Sequence, residues 1–84
     1  MSLNIEFTDR ANKQLANLRA DDRNRILDRL RAFGEEPDRR HDVRPLIGTE
    51  GLWRLRMGDW RVIFERAETS VLVLRVLHRR EAYR

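Results

Sequence analysis

A chain of 84 residues is long enough for one domain and too short for two, so the fold and the functional site must share one small core. The chain has no cysteine, which excludes disulfides and thiolate metal sites, and no apolar run approaches the ~20 residues of a membrane span. The N-terminal residues 1–4 lack the basic and apolar regions of a signal peptide. We therefore expect a single cytoplasmic domain over residues 1–84.

The net charge of +4 arises in the C-terminal part of the chain. Residues 1–51 contain ten lysines and arginines against ten acids, whereas residues 52–84 contain eight arginines against four acids. Lys13 is the only lysine among the 18 cationic residues. A guanidinium group pairs with a phosphate or carboxylate through two parallel hydrogen bonds. The composition thus favours an acidic partner, either nucleic acid or an acidic protein segment, the alternative being a general preference for arginine that serves solubility.

The first half of the chain predicts a strand followed by two helices. Residues 3–7 alternate apolar and polar side chains, as a half-buried strand does. Thr8 or Asp9 is suited to cap a helix whose apolar stripe is Ala11, Leu15 and Leu18. A second helix is predicted over residues 21–34, ending at Gly34, with an apolar face of Ile26, Leu27, Leu30 and Phe33. The short link between them predicts an antiparallel helix hairpin with one apolar side.

The second half predicts three strands, at residues 52–57, 60–65 and 71–77, because these segments are rich in β-branched, aromatic and leucine residues. The last strand is apolar almost without alternation, which favours burial on both faces and an interior place in the sheet. Residues 35–45, rich in charge and proline, are predicted to be a loop. Helices packed on one face of a mostly antiparallel sheet, with these strands as a three-stranded antiparallel meander, make an α+β fold.

A two-residue turn at Gly58-Asp59 would pair Arg56 with Arg61 across the first hairpin. The alternation of the strands then directs Trp53, Leu55, Met57, Trp60, Val62 and Phe64 toward the helices, and Arg54, Arg56 and Arg61 to the opposite face. Like charges opposite each other destabilise a sheet, so this arrangement suggests an anion site, the alternative being a solvated face with splayed guanidinium groups. Glu65 is the only acid expected to neutralise that face.

Two segments carry a likeness to a known family. Residues 51–64, GLWRLRMGDWRVIF, and residues 76–84, VLHRREAYR, resemble the C-terminal half of RelE/ParE-superfamily toxins. The shared elements are aromatic-Arg-x-Arg, Gly-x-aromatic-Arg and His-Arg-Arg-x-x-Tyr, in that order. The preceding helix hairpin and Arg44-Pro45-Leu46 fit the same pattern, so the resemblance spans essentially the whole chain.

This resemblance implies a toxin encoded beside an antitoxin. In the RelE branch it implies an endoribonuclease that cuts mRNA in the ribosomal A site, with neither metal nor cofactor. By position, Arg61 matches the phosphate-binding arginine, Arg79 or Arg80 the later catalytic arginine, and Tyr83 the tyrosine that stacks on a base. The RNA-binding positions implied are Arg54, Arg56 and Arg84.

The acid and base of such a nuclease are less well defined by the sequence. His78 is the candidate general acid, because histidine is the residue type that commonly acts as an acid or base near neutral pH and no other lies nearby, although a histidine at a strand end is often structural. Glu50 is the candidate base, since arginine stays protonated in proteins and is unsuited to that role. Tyr83 is alternatively a packing residue, and His41 is expected to be solvated. Trp53 and Trp60 are expected to anchor the core.

The ParE branch of the same superfamily offers a different function. It poisons DNA gyrase by binding, without catalysis of its own. The tail favours the nuclease, because an aromatic residue that stacks on a base is expected for an RNA ligand. The expected partners are therefore a cognate antitoxin and mRNA in the ribosomal A site, with DNA gyrase as the alternative.

Overall fold

The computed structural model describes residues 2–82, which form one sheet and flanking helices. The elements in chain order are β1 (Asn4–Phe7), α1 (Asp9–Ala16), α2 (Ala20–Glu35), β2 (Val43–Pro45), β3 (Leu52–Met57), β4 (Trp60–Arg66), β5 (Ser70–His78) and α3 (Arg79–Ala82). The predicted strand, two helices and antiparallel meander are all present, which confirms the α+β prediction. In this part of the chain no helix is long and apolar enough to cross a membrane.

The sheet is mixed, with the strand order β1-β5-β4-β3-β2. Strands β2 to β5 pair antiparallel in succession, whereas β1 lies parallel to β5, with Asn4 opposite Ser70 and Phe7 opposite Val73. The parallel pairing was not predicted from the sequence. It joins segments more than sixty residues apart, so no local pattern specifies it.

Strand β2 lies within the segment that was predicted to be a loop. Val43 pairs with Leu55, and Pro45 pairs with Trp53 at the edge of the sheet. Proline lacks the backbone donor that an interior strand needs, and an edge strand tolerates this loss. The proline and the charged neighbours predicted a loop, but the segment forms a short edge strand.

The core lies between the helices and one face of the sheet, as predicted. Its buried residues are Leu3, Ala11, Leu15, Ile26, Leu30, Phe33, Leu55, Met57, Val62, Phe64, Val71, Val73 and Val76. Thr8 caps α1, since its hydroxyl accepts a hydrogen bond from the Ala11 amide at 3.1 Å. The same hydroxyl donates to the carbonyl of Leu74 at 3.2 Å, which ties the start of α1 to β5.

Gly34 does not end the second helix, contrary to prediction, because α2 continues to Glu35. A Cβ at Gly34 would lie 2.9 Å from Cδ1 of Ile5 and 3.0 Å from the carbonyl oxygen of Leu3. The carbonyl of Gly34 also accepts a hydrogen bond from the Leu3 amide at 2.6 Å. Glycine is required here by the close approach of α2 to the start of β1.

The β3–β4 hairpin has the predicted register, with Met57 opposite Trp60 and Arg56 opposite Arg61. Gly58 has a φ of 58°, and no non-glycine residue of the described chain has a positive φ. Glycine at the first of two turn positions is the requirement of a type II′ turn. The Gly-Asp pair thus satisfies a two-residue turn and maintains the predicted alternation.

Strand β5 contains a bulge that explains its continuous apolar run. Ile63 pairs with Arg75 and Phe64 pairs with Val73, so Leu74 is an extra residue on β5. The strand lies between β1 and β4, as predicted, but only one of its faces is fully buried. The extra residue shifts the alternation within the strand, so apolar residues that face the core before and after the bulge no longer alternate regularly in the sequence. The continuous apolar run therefore gave a false indication of burial on both faces.

Candidate nucleic-acid interface

Five arginines share the face of the sheet that points away from the helices, and we call this surface the arginine face. It consists of Arg44, Arg54, Arg56, Arg61 and Arg75. Paired residues of neighbouring strands lie on the same face, so the register sorts these arginines into two rows. One row is Arg44, Arg54, Ile63 and Arg75, across β2 to β5. The second row is Arg56, Arg61 and Leu77.

Three members of this face, Arg54, Arg56 and Arg61, were predicted to lie together, and the register confirms it. Arg75 was missed for a definite reason. Val71 and Val73 face the helices, and regular alternation would direct Arg75 to the same side. The extra residue in β5 reverses the alternation, so Arg75 reaches the arginine face while Val76 enters the core.

Arg61 is buried, with 5% of its surface exposed, although it lies on the face that points away from the helices. It lies on β4, the central strand, between Arg56 and Leu77 of the neighbouring strands. Its Nη1 donates only long hydrogen bonds, 3.4 Å to the carbonyl of Gly58 and 3.5 Å to that of Trp60. Within the described residues no carboxylate forms an ion pair with it, so its charge is poorly compensated.

Arg54 presents a second unsatisfied donor on the same face. Its Nε is buried and has no hydrogen-bond partner among the described residues. A buried donor without a partner costs about 1–3 kcal/mol. An anion bound on the arginine face would compensate the charges of Arg54 and Arg61.

Asp42 is the acidic group that contacts the arginine face. Its Oδ2 lies 2.7 Å from Nε of Arg56, and its Oδ1 lies 3.9 Å from Nε of Arg44. The expectation that Glu65 alone would neutralise this face is therefore wrong. Glu65 is exposed at the far end of β4, opposite Leu52. Asp42 was overlooked because it precedes the edge strand that the sequence did not reveal.

His78 lies on the other face of the sheet. It pairs with Trp60, and the two rings meet edge to face with centroids 5.0 Å apart. Its Nδ1 accepts a hydrogen bond from the Arg80 amide at 3.2 Å. Leu77, the preceding residue, belongs to the row of Arg61, so His78 is directed away from the arginine face.

The remaining predicted site residues lie at the end of β5. Arg79 and Arg80 begin α3 with exposed side chains, and the Arg79 amide donates to the carbonyl of Asp59 at 2.6 Å. This hydrogen bond holds the start of α3 against the β3–β4 turn. Tyr83 and Arg84 lie outside the described residues.

The other candidates from the sequence have simpler surroundings. Glu50 is exposed in the loop before β3. Trp53 and Trp60 are half-buried and pack against the core, which confirms their structural role. His41, expected to be solvated, is half-buried instead, with its ring 5.2 Å from Phe33 and its Nε2 2.8 Å from the Glu36 carbonyl. Over the described part of the chain no three His, Cys, Asp or Glu side chains are placed to hold a metal ion.

Comparison with known families shows to which family this chain belongs. Residues 5–83 match the family model described as the ParE toxin of the type II toxin-antitoxin system, parDE. The chain belongs to this toxin family. No curated protein sequence matches the toxin.

Solved structures show the same fold. The toxin superimposes on a chain of the RelBE2 toxin-antitoxin complex of Mycobacterium tuberculosis with a TM-score of 0.81 and 26% identity, covering 94% of this chain and 93% of that one. For the RelE-RelB complex of Pyrococcus horikoshii OT3 the TM-score is 0.76 and the identity 28%, covering 94% and 97%. The DinJ-YafQ complex of E. coli, at 15% identity and a TM-score of 0.69 over both full chains, shares the fold. The predicted likeness to RelE/ParE-superfamily toxins is confirmed.

Proposed function

We propose that this toxin is a ribosome-dependent mRNA endoribonuclease that inhibits translation in the cytoplasm. The observation that carries the proposal is the arginine face, where five guanidinium groups are directed to one side of four strands. Phosphate is one of the two anions, with carboxylate, that a guanidinium group binds through two parallel hydrogen bonds. A phosphodiester backbone supplies several phosphates in succession, which suits two rows of arginines.

The proposed reaction is an internal transfer at phosphorus. The ribose 2′-hydroxyl loses its proton and attacks the adjacent phosphorus, and the bond from phosphorus to the 5′-oxygen breaks. The products are a 2′,3′-cyclic phosphate and a 5′-hydroxyl, so atoms and charge balance without a cofactor. Negative charge accumulates on the phosphoryl oxygens during attack, and preorganised cationic donors stabilise it. Arg61, which is buried, and Arg54, which is half-buried with a buried Nε, suit this task because packing in the sheet restricts their movement.

The proton acceptor in this scheme is Asp42. It is the carboxylate that contacts the arginine face, and Arg56 holds its Oδ2 at 2.7 Å. Glu50, by contrast, is exposed in a loop. Asp42 is a better placed base than Glu50 because a base must lie within hydrogen-bond reach of the proton it removes.

The leaving 5′-oxygen needs a proton, and the position of His78 bears on its source. RNA bound on the arginine face reaches His78 only by passing around the end of β5. We assign this proton to solvent, and we assign Arg79 or Arg80, with Tyr83 and Arg84, to contacts with RNA beyond the sheet.

A cognate antitoxin is the proposed protein partner. The solved relatives from Mycobacterium tuberculosis and Pyrococcus horikoshii are toxin-antitoxin complexes. For this toxin we propose an acidic segment that folds on binding and covers the basic surface. Coexpression with the product of the adjacent reading frame should yield a complex that copurifies and abolishes growth inhibition.

A second candidate function is binding and poisoning of DNA gyrase. Two observations favour it: the matching family model is that of the ParE toxin, and His78 is directed away from the arginine face. Under this reading the arginines contact a protein, and the fold carries no catalytic groups.

One experiment separates the two functions. Purified toxin is added to an mRNA under active translation and to the same mRNA without ribosomes, without added metal, and gyrase supercoiling is assayed in parallel. The nuclease should cut the translated message faster by orders of magnitude, because positioning alone lowers a barrier by several kcal/mol. The products should carry a 2′,3′-cyclic phosphate and a 5′-hydroxyl, and supercoiling should be unaffected. Intact message together with gyrase trapped on cleaved DNA would reject the nuclease.

A further inference from the structure

We propose that single-stranded RNA crosses the sheet of this toxin at right angles to the strands, along the row of Arg44, Arg54 and Arg75. This inference rests on the proposed function and adds to it the path of the substrate. The row is set by the pairing of Arg44 with Arg54, of Arg54 with Ile63, and of Ile63 with Arg75. Arg75 marks the far end of the path.

The length of the row suits several phosphates. Neighbouring strands lie ~4.8 Å apart, so the three steps from β2 to β5 span about 14 Å. Stacked nucleotides rise ~3.4 Å each along one strand, so this length accommodates about four stacked nucleotides, or fewer in an extended chain. The three arginines would therefore contact separate phosphates.

The centre of the row is shaped by Ile63. It is only 7% exposed, although it faces away from the helices and is not part of the helix-side core. Its neighbours in the row are Arg54 and Arg75, and arginines cover apolar surface with their methylene stems while the charged heads point outward. We infer that the stems of Arg54 and Arg75 cover Ile63 from its two sides and that Ile63 separates these two arginines along the row.

The state of each arginine fits a phosphate contact. Nε of Arg54 is buried and lacks a hydrogen-bond partner among the described residues. Arg75 is exposed, and in the described part of the chain no carboxylate forms an ion pair with it. Arg44 is also exposed and has only the 3.9 Å approach to Asp42. Arg44 and Arg75 therefore have exposed donors available for a ligand, and the half-buried Arg54 carries a charge between them that a nearby phosphate would compensate.

The direction of the row favours RNA over a protein segment. An extended peptide that joins a sheet pairs with an edge strand and runs parallel to it. The row instead crosses four strands within the face, where the backbone groups of the interior strands already pair with each other. Guanidinium groups at steps across the strands provide a surface for a charged backbone.

The test measures RNA binding apart from cleavage. The probe is a fluorescent 12-nucleotide single-stranded RNA with 2′-O-methyl groups, which cannot be cut because the attacking hydroxyl is blocked. Its affinity for the wild type, Arg75→Ala, Arg44→Ala and Arg66→Ala is measured by anisotropy over a range of salt concentrations. Arg66→Ala is the matched control, because Arg66 is exposed on β4 but pairs with Val71, which faces the helices.

Each lost phosphate contact should reduce the slope of log affinity against log salt by ~0.7, which corresponds to about fivefold weaker binding at 0.1 M salt. Arg75→Ala and Arg44→Ala should each show this change, whereas Arg66→Ala should match the wild type. Arg75→Lys retains the charge and should preserve the wild-type slope of log affinity against log salt. A normal slope for Arg75→Lys shows that the change in Arg75→Ala comes from the lost charge.

The possible outcomes test the proposed RNA path separately from the proposed nuclease activity. If the wild type cuts translated mRNA but Arg75→Ala keeps the wild-type slope, the path is wrong and the nuclease stands. If the slopes change as expected but no message is cut, the path stands and the nuclease is wrong. If Arg75→Ala weakens binding of the coexpressed antitoxin and leaves RNA binding unchanged, the row is a protein contact and the path is rejected.

Discussion

Arg61 is buried in the sheet, yet its positive charge has few compensating contacts within the protein. It lies on the central strand with 5% of its surface exposed, and its hydrogen bonds to two carbonyl groups are long. A buried ion without a partner destabilises a fold by several kcal/mol unless something compensates it. A bound phosphate would supply that compensation, so the free toxin should be less stable than the toxin bound to RNA.

The first prediction separates packing from charge at this position. Arg61→Met keeps the apolar stem and removes the guanidinium, so the free energy of unfolding in urea should be unchanged or higher, while cleavage of translated mRNA is lost. Arg61→Ala also removes the stem and should destabilise the fold by about 1–3 kcal/mol. An Arg61→Met toxin that cleaves at the wild-type rate would remove Arg61 from the site.

The second prediction concerns Asp42 as the proton acceptor. Asp42→Asn should lower the rate constant for cleavage by a factor of ~10² to 10⁴ while KM stays the same or falls, because an amide cannot accept the proton and no longer opposes RNA binding. Stability should fall by less than ~1 kcal/mol, since the pair with Arg56 is partly exposed to solvent. Glu50→Gln is the control and should cleave normally. The reverse result, with Glu50→Gln inactive and Asp42→Asn active, would return the role to Glu50.

At the scale of the elements, a bulge and a close helix–strand contact determine which residues reach the arginine face and how the first strand is held. The bulge at Leu74 directs Arg75 to the arginine face and Val76 into the core. The approach of α2 to the start of β1, made possible by Gly34, holds the first strand beside β5. Each feature depends on one residue. Leu74 sets which face Arg75 and Val76 occupy, and Gly34 allows α2 to contact the start of β1.

The third prediction tests the close contact between α2 and the start of β1. Gly34→Ala should lower the free energy of unfolding by about 1–3 kcal/mol, although alanine favours a helix by ~1 kcal/mol over glycine. The added Cβ would lie 3.0 Å from the Leu3 carbonyl oxygen, which belongs to the backbone and cannot rotate away. Glu35→Ala, at the adjacent exposed position, should change stability by less than ~0.5 kcal/mol. Urea unfolding measures both, and a stabilised Gly34→Ala would show that α2 and β1 separate easily.

At the scale of the whole molecule, one core supports both helices and the sheet. Phe33 of α2 and Phe64 of β4 are both buried, with ring centroids 5.4 Å apart. The face of the sheet opposite this core bears the arginines. The two surfaces of one sheet thus differ in role: one face stabilises the fold, and the other bears the arginines that we propose bind RNA.

The fourth prediction is that the chain unfolds as a single unit, as one domain should. Urea transitions followed by far-UV circular dichroism, which reports the helices, and by the fluorescence of Trp53 and Trp60, which reports β3 and β4, should coincide. Phe64→Ala should shift both transitions together by about 3–5 kcal/mol, enough to unfold much of a small domain. Glu68→Ala, in an exposed turn, should leave both unchanged. Transitions that separate would show that the helices and the sheet are independent units.

The sequence by itself determined the features that depend on neighbouring residues. The helical stripes, the strand alternation and the Gly58-Asp59 turn are local, so the helix pair, the meander and the shared face of Arg54, Arg56 and Arg61 were predictable. Membership of the toxin superfamily was also visible in the order of short motifs.

Only the tertiary structure decided the features that depend on contacts between distant segments. The pairing of β1 with β5, and the edge strand that brings Asp42 to Arg56, depend on contacts between separate segments of the chain. The bulge that turns Arg75 outward alters the alternation of β5. The burial of Arg61 and the orientation of His78 depend on the same contacts. Local patterns report which face a side chain takes in a regular strand, but the surroundings of a side chain depend on how the strands assemble.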